Sequence, residues 1–127
     1  MIADNHDAWL RVFCRILQRD FDVVGVAANA REASCRACEL HPDVLIVDLG
    51  MLLADGLKSA RLLVDSFLPA RLIAVTVHPD ADYAATAFSL GASGFILKSR
   101  ANLDLPLAIA AAMEGQSFFS PGTESRA

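Results

Sequence analysis

Pro42-Asp43-Val44-Leu45-Ile46-Val47-Asp48 is the stretch that decides the fold. Its four consecutive aliphatic residues, three of them β-branched, have the length and composition of a strand buried on both faces. Such strands belong to parallel sheets covered by helices on either side. Pro42 closes whatever helix precedes it, because a residue before proline avoids helical backbone. The run ends on a carboxylate, Asp48.

Working outward, similar short runs occur at residues 23–27, 72–75 and 94–97, and a stub at 1–3 completes a fifth strand. Helical spacing fills the intervals. Residues 6–18 place Trp9, Phe13, Ile16 and Leu17 on one side. Residues 31–40 stop before His41-Pro42, 57–67 before Pro69, and 80–90 at Gly91, a natural C-cap. Residues 103–113 follow Asn102, an expected N-cap, and end before Gly115. Strand and helix alternate five times with short connections. The expectation is an α/β domain, a doubly wound (βα)5 fold over a five-stranded parallel sheet. It spans residues 1–120, and 121–127 reads as a tail or the start of a linker.

The 127 residues are 54% hydrophobic and 20% charged, with net charge -4. That composition excludes disorder. Lys and Arg are scattered, and the acidic balance argues against direct nucleic-acid binding. No apolar stretch approaches the roughly 20 residues of a membrane span, and the N-terminus lacks signal-peptide character. A cytoplasmic location without membrane contact is therefore expected. Cys14, Cys35 and Cys38 are an odd number in a chain with an ample core, which disfavours a disulfide scaffold. Cys35 and Cys38 have no second pair to complete a zinc site and read as helix-packing residues.

Ligands of an open parallel sheet bind outside the carboxyl ends of its strands. The residues there are Asp4 and Asn5, then Asp48, Thr76 and Lys98. Two nearby acids can hold a hard divalent cation through oxygen. A carboxylate can act as nucleophile and form an acyl phosphate. A metal and a lysine would balance the transferring oxygens, and Thr76 would donate to one more. Each residue also has an ordinary role: Asp48 as a turn or cap former, Thr76 as a strand residue, Lys98 as a solvated charge, Phe95 as core. Their joint placement at one edge is what favours chemistry.

Four stretches, Ile2-Ala3-Asp4-Asn5-His6, Pro42 to Asp48, Val75-Thr76-Val77-His78 and Gly91 to Lys98, together resemble the receiver domain of two-component response regulators. The likeness runs from Ile2 to Pro121. It is closest to the subclass that usually carries a helix-turn-helix output domain. The resemblance implies a flavodoxin-like strand order 2-1-3-4-5 and a sensor histidine kinase that phosphorylates Asp48. It implies a Mg2+ site at Asp4, Asn5, Asp48 and the Gly50 carbonyl, with Lys98 on the phosphoryl group. Thr76 and Phe95 match the hydroxyl and aromatic that switch together. The domain would be no enzyme beyond catalysing its own phosphorylation and dephosphorylation. The face built by the fourth helix, fifth strand and fifth helix would bind a second copy or the output domain.

Three departures are visible. Asn5 replaces the second acid, so Mg2+ should bind weakly. Leu52 stands where the family usually has proline, so residues 49–55 are expected to form a less rigid loop. The first strand starts almost at Met1. The last helix has a single acid, Asp104, and no broad polar face, which points to a covering partner. Ala108 and Ala112 are natural probes of that contact if they lie outward. His78 follows Thr76 and is placed to gate access to the pocket. Two other functions deserve weighing. A degenerate receiver would act as a phosphorylation-independent interaction module, as Asn5 suggests. A flavin or nucleotide binder would need a phosphate-binding loop after the first strand, where Asp4-Asn5-His6-Asp7 would repel phosphate.

Overall fold

The computed structural model describes residues 1–123. Ile2–Ala3 (β1), Asp7–Leu17 (α1), Val26–Ala27 (β2), Ala30–Leu40 (α2) and Val44–Asp48 (β3) form the first half. Leu49–Leu53 (α3), Leu57–Phe67 (α4), Arg71–Thr76 (β4), Ala81–Ser89 (α5) and Gly94–Leu97 (β5) follow. A short 3-10 turn, Lys98–Arg100, leads into Ala101–Met113 (α6) and Phe118–Phe119 (β6).

All pairings are parallel, in the order β2-β1-β3-β4-β5-β6. The expected order of five strands holds, and β6 adds a sixth at the edge. Two residues after Gly115 are too few to carry a period, which is why the pattern did not reveal them. β2 is also shorter than residues 23–27, because only Val26 and Ala27 pair with β1.

Alternation along β3 sorts the core onto both faces. Leu45 and Val47 join Ala33, Ala37, Ala60, Val64, Phe67 and Ala87 beneath α2, α4 and α5. Val44 and Ile46 join Leu10, Phe13, Leu17, Leu105 and Ile109 beneath α1 and α6. The sheet grows outward from β1 in one direction to β2 and in the other from β3 onward, so the switch point lies between the ends bearing Asp4 and Asp48.

Four expectations need correction. Residues 49–53 are a helix rather than a loose loop: Leu49, Met51 and Leu52 are buried, and Asp48 caps the turn. Leu52 thus secures by burial what proline would secure by stiffness. Asn102 lies inside α6 and caps nothing; the preceding turn brings the helix in from Lys98. Ala108 and Ala112 face the core, so neither probes a surface. Cys35 and Cys38 are exposed free thiols on the outer side of α2, whose packed side is Ala33 and Ala37.

The missing polar face of α6 has a specific origin. Its one acid, Asp104, points inward and is buried. Leu103, Leu107 and Ala110, spaced i, i+4 and i+7, point to solvent together with Met113.

Candidate functional site

The carboxyl ends of β1, β3, β4 and β5 converge because the strands run parallel in one register. Ala3 is level with Val47, Asp48 with Val75, and Thr76 with Leu97. The next residue of β1 and of β5 therefore projects above the sheet edge at Asp4 and Lys98.

Asp4 is wholly buried. Its Oδ1 accepts from the His6 backbone N–H at 2.9 Å, with His6 Nδ1 3.3 Å away. Its Oδ2 has no hydrogen-bond donor in bonding geometry, and only the Lys98 ammonium, 2.6 Å distant, balances it. Asp48 Oδ2 accepts from the Met51 N–H at 2.8 Å as the N-cap of α3, while Oδ1 faces Lys98 Nζ at 2.9 Å. Lys98 is 4% exposed. One buried ammonium thus bridges two carboxylates, and the formal charges of the three leave one negative charge in excess. Burial makes each of these contacts stronger than it would be in water.

The capping role and the chemical role of Asp48 are therefore the same geometry. Met51 fixes one oxygen and turns the other toward the pocket. Thr76 ends β4 buried, and its Oγ1 accepts from the His78 N–H at 3.1 Å, which leaves the hydroxyl proton to donate. The exposed His78 ring stacks on Tyr83 at 5.3 Å. Phe95 is fully buried under α5 and the neighbouring strands. Asn5 and Gly50 are exposed at the rim. A Cβ at Gly50 would lie 3.2 Å from Asp48 Oδ2, so glycine there keeps the approach to the carboxylate open.

Two participants escaped sequence reasoning. The Trp9 ring centroid lies 5.0 Å from Lys98 Nζ, a cation–π contact. Periodicity assigned Trp9 only to the apolar side of its helix and carried no sign of the lysine. The Met51 amide is the other, since backbone donors are invisible in a sequence.

The donor set fits a hard cation that keeps much of its water. Among the described residues no group of three or more His, Cys, Asp and Glu side chains is placed to enclose a metal. Two carboxylates organised around one positive charge, one of them with an oxygen that meets only that ammonium, match the sparse protein ligation of Mg2+.

Known proteins resemble this chain in sequence and fold. The oxygen regulatory protein NreC of Staphylococcus aureus (strain JH9) is 35% identical over 121 residues, covering 93% of this chain and 56% of NreC. The chain thus spans about half the length of that curated relative. A solved LuxR-family two-component response regulator from Aurantimonas sp. SI85-9A1 superposes with TM-score 0.86 at 31% identity, covering 97% of this chain and 89% of that one. The isolated REC domain of RcsB from Salmonella enterica serovar Typhimurium, solved with the phosphomimetic BeF3-, gives TM-score 0.83 at 27% identity over 96% of this chain and 92% of that one. The family model of the response regulator receiver domain matches residues 1–110. The family model spans most of the chain and the solved structures share its fold, so the chain belongs to the response regulator receiver domain family.

Proposed function

We propose that Asp48 is the phosphoacceptor of this receiver domain and that a sensor histidine kinase is its donor. The observation that carries this is the orientation of Asp48, with Oδ2 held by Met51 N–H and Oδ1 turned to Lys98. Oδ1 attacks phosphorus, an O–P bond forms, and the bond from phosphorus to the donor breaks. The donor leaves with the electron pair and takes a proton from solvent. Lys98 then balances the oxygens of the transferred group, and the Thr76 hydroxyl donates to another. Mg2+, held by Asp4, Asp48, the Gly50 carbonyl and Asn5, would supply further charge to the phosphoryl oxygens. The domain turns over no substrate of its own and works as a switch, with Thr76 and Phe95 the expected moving pair. Intact mass after incubation with acetyl phosphate and Mg2+ tests the reading: a gain of one phosphoryl group is expected. No gain at high Mg2+ would favour the interaction-module reading, to which the exposed Asn5 lends support.

Position 5 sets the metal affinity in this scheme. Asn5→Asp restores a charged oxygen and should tighten Mg2+ binding by about tenfold. Trp9, the one tryptophan of the chain, sits against Lys98 and reports the titration by its fluorescence. Equal or weaker binding by the variant would show that this side chain does not reach the metal.

The apolar row Leu103, Leu107 and Ala110 supports association through α5, β5 and α6, with a second copy or an output domain as the partner. Leu107 is 56% exposed. If a second copy covers it, Leu107→Glu should weaken self-association by about tenfold or more in sedimentation equilibrium, since burying such a side chain contributes about 1.5 kcal/mol or more. A wild type that stays monomeric at high concentration, with and without acetyl phosphate, would count against homodimerisation. In the cell we place the protein in the cytoplasm; no helix among the described residues is long and apolar enough to cross a membrane.

A further inference from the structure

Asp104 is a buried acid and the one charged residue of α6, and a buried carboxylate is costly unless it is well partnered. Its partners are specific. Arg100 Nε donates to Oδ2 at 2.8 Å, and Ser120 Oγ donates to the same oxygen at 2.8 Å. Ser120, fully buried, also accepts from the Leu97 N–H at 3.0 Å.

That last bond has a structural reason. The pairing of β5 with β6 ends at Phe95 and Phe119, so the Leu97 amide has no ladder partner. Ser120 supplies one from its side chain. The Ser120 backbone N–H donates to the Phe95 carbonyl at 2.8 Å. Thr123 Oγ1 donates to the Ser120 carbonyl at 2.6 Å.

These contacts bracket Lys98 and Ser99. Leu97, immediately before Lys98, is tied to Asp104 through Ser120. Arg100, two residues after Lys98, is tied to Asp104 directly. Between them Lys98 projects its ammonium to Asp4 and Asp48.

We propose that Asp104 and Ser120 are positioning residues for Lys98: they fix the backbone on both sides of it and tie its position to the chain leaving at Thr123. A shift of Lys98 toward a phosphoryl group on Asp48 loads the Leu97–Ser120 hydrogen bond. The state of the pocket then reaches Thr123 through side-chain and main-chain bonds of a single serine. This consequence rests on the phosphoacceptor reading of Asp48, whereas the positioning role does not.

The chain has two lysines, Lys58 exposed and Lys98 buried, so amine acylation read by peptide mass carries its own reference. Losing a buried hydrogen bond next to Lys98 should raise local opening. Ser120→Ala and Asp104→Asn should each raise acylation of Lys98 relative to Lys58 by about tenfold, and Ser120→Thr should restore it. Ile109→Val, a core change in the same helix, should leave the ratio as in wild type. Phosphorylation by acetyl phosphate should slow in step with the labelling. An unchanged ratio in folded Ser120→Ala, or an equal rise in Ile109→Val, would overturn the proposal. Should Ser120→Ala fail to fold, Asp104→Asn decides by the same criterion, because it keeps the size of the side chain. If Lys98 responds as expected while wild type takes no phosphoryl group, positioning stands and the phosphoacceptor reading falls.

Discussion

Asp48→Asn is expected to remove phosphorylation by acetyl phosphate completely while leaving the fold intact. The variant keeps the shape of the side chain, and asparagine caps a helix about as well as aspartate. The hydrogen bond from Met51 N–H to position 48 should therefore survive. What disappears is the nucleophile: an amide oxygen in place of Oδ1 cannot form the acyl phosphate. Intact mass should show one phosphoryl group on wild type and none on the variant, with superimposable far-UV circular dichroism. Phosphorylation of the variant at the wild-type level would move the acceptor elsewhere and sink the assignment. A second acid, Asp4, lies on the far side of Lys98, so peptide mapping of any residual phosphate must separate the two.

The sequence made the site legible through position rather than through any single motif. Asp4, Asp48, Thr76 and Lys98 each follow or end a strand, and a parallel sheet in one register brings such residues to one edge. Three of them meet within 2.9 Å contacts around Lys98 Nζ. Elements with a long period were equally readable, as α1, α2 and α4 show. What stayed hidden was of two kinds. Short features such as β6 and the helix after Asp48 have too few residues to establish a period. Inward polar groups defeat the pattern in another way: Asp104 looked like the lone polar residue of an exposed helix, yet Arg100 and Ser120 let it sit inside. Ala108 and Ala112 were open to either face for the same reason. Alanine fits a surface or a tight core, and the tight core beneath α6 is where both lie.

Lys98→Met carries the largest expected effect on stability. Methionine nearly matches the lysine stem in volume, so the loss is confined to the ammonium, with its ion pairs and its cation–π contact to Trp9. Asp4 Oδ2 then keeps neither an ammonium nor a hydrogen-bond donor, and Asp48 Oδ1 loses its partner as well. Removing one member of a buried ion pair typically costs about 3–5 kcal/mol, because the remaining charge is left uncompensated. Here two carboxylates share that loss, although Asp48 is slightly open to solvent and can recover some hydration. Urea unfolding without divalent cations should show a destabilisation of about 3 kcal/mol or more. Two further measurements identify the cause. Asp4→Asn in the Lys98→Met background should return much of the stability, since it removes the uncompensated charge. Added Mg2+ should stabilise Lys98→Met more than wild type, because the cation meets two carboxylates that no longer have an ammonium between them. A loss below about 1 kcal/mol, or no recovery with Asp4→Asn, would mean that the bridge contributes little to holding the sheet edge together. The role of Lys98 would then be confined to the phosphoryl group.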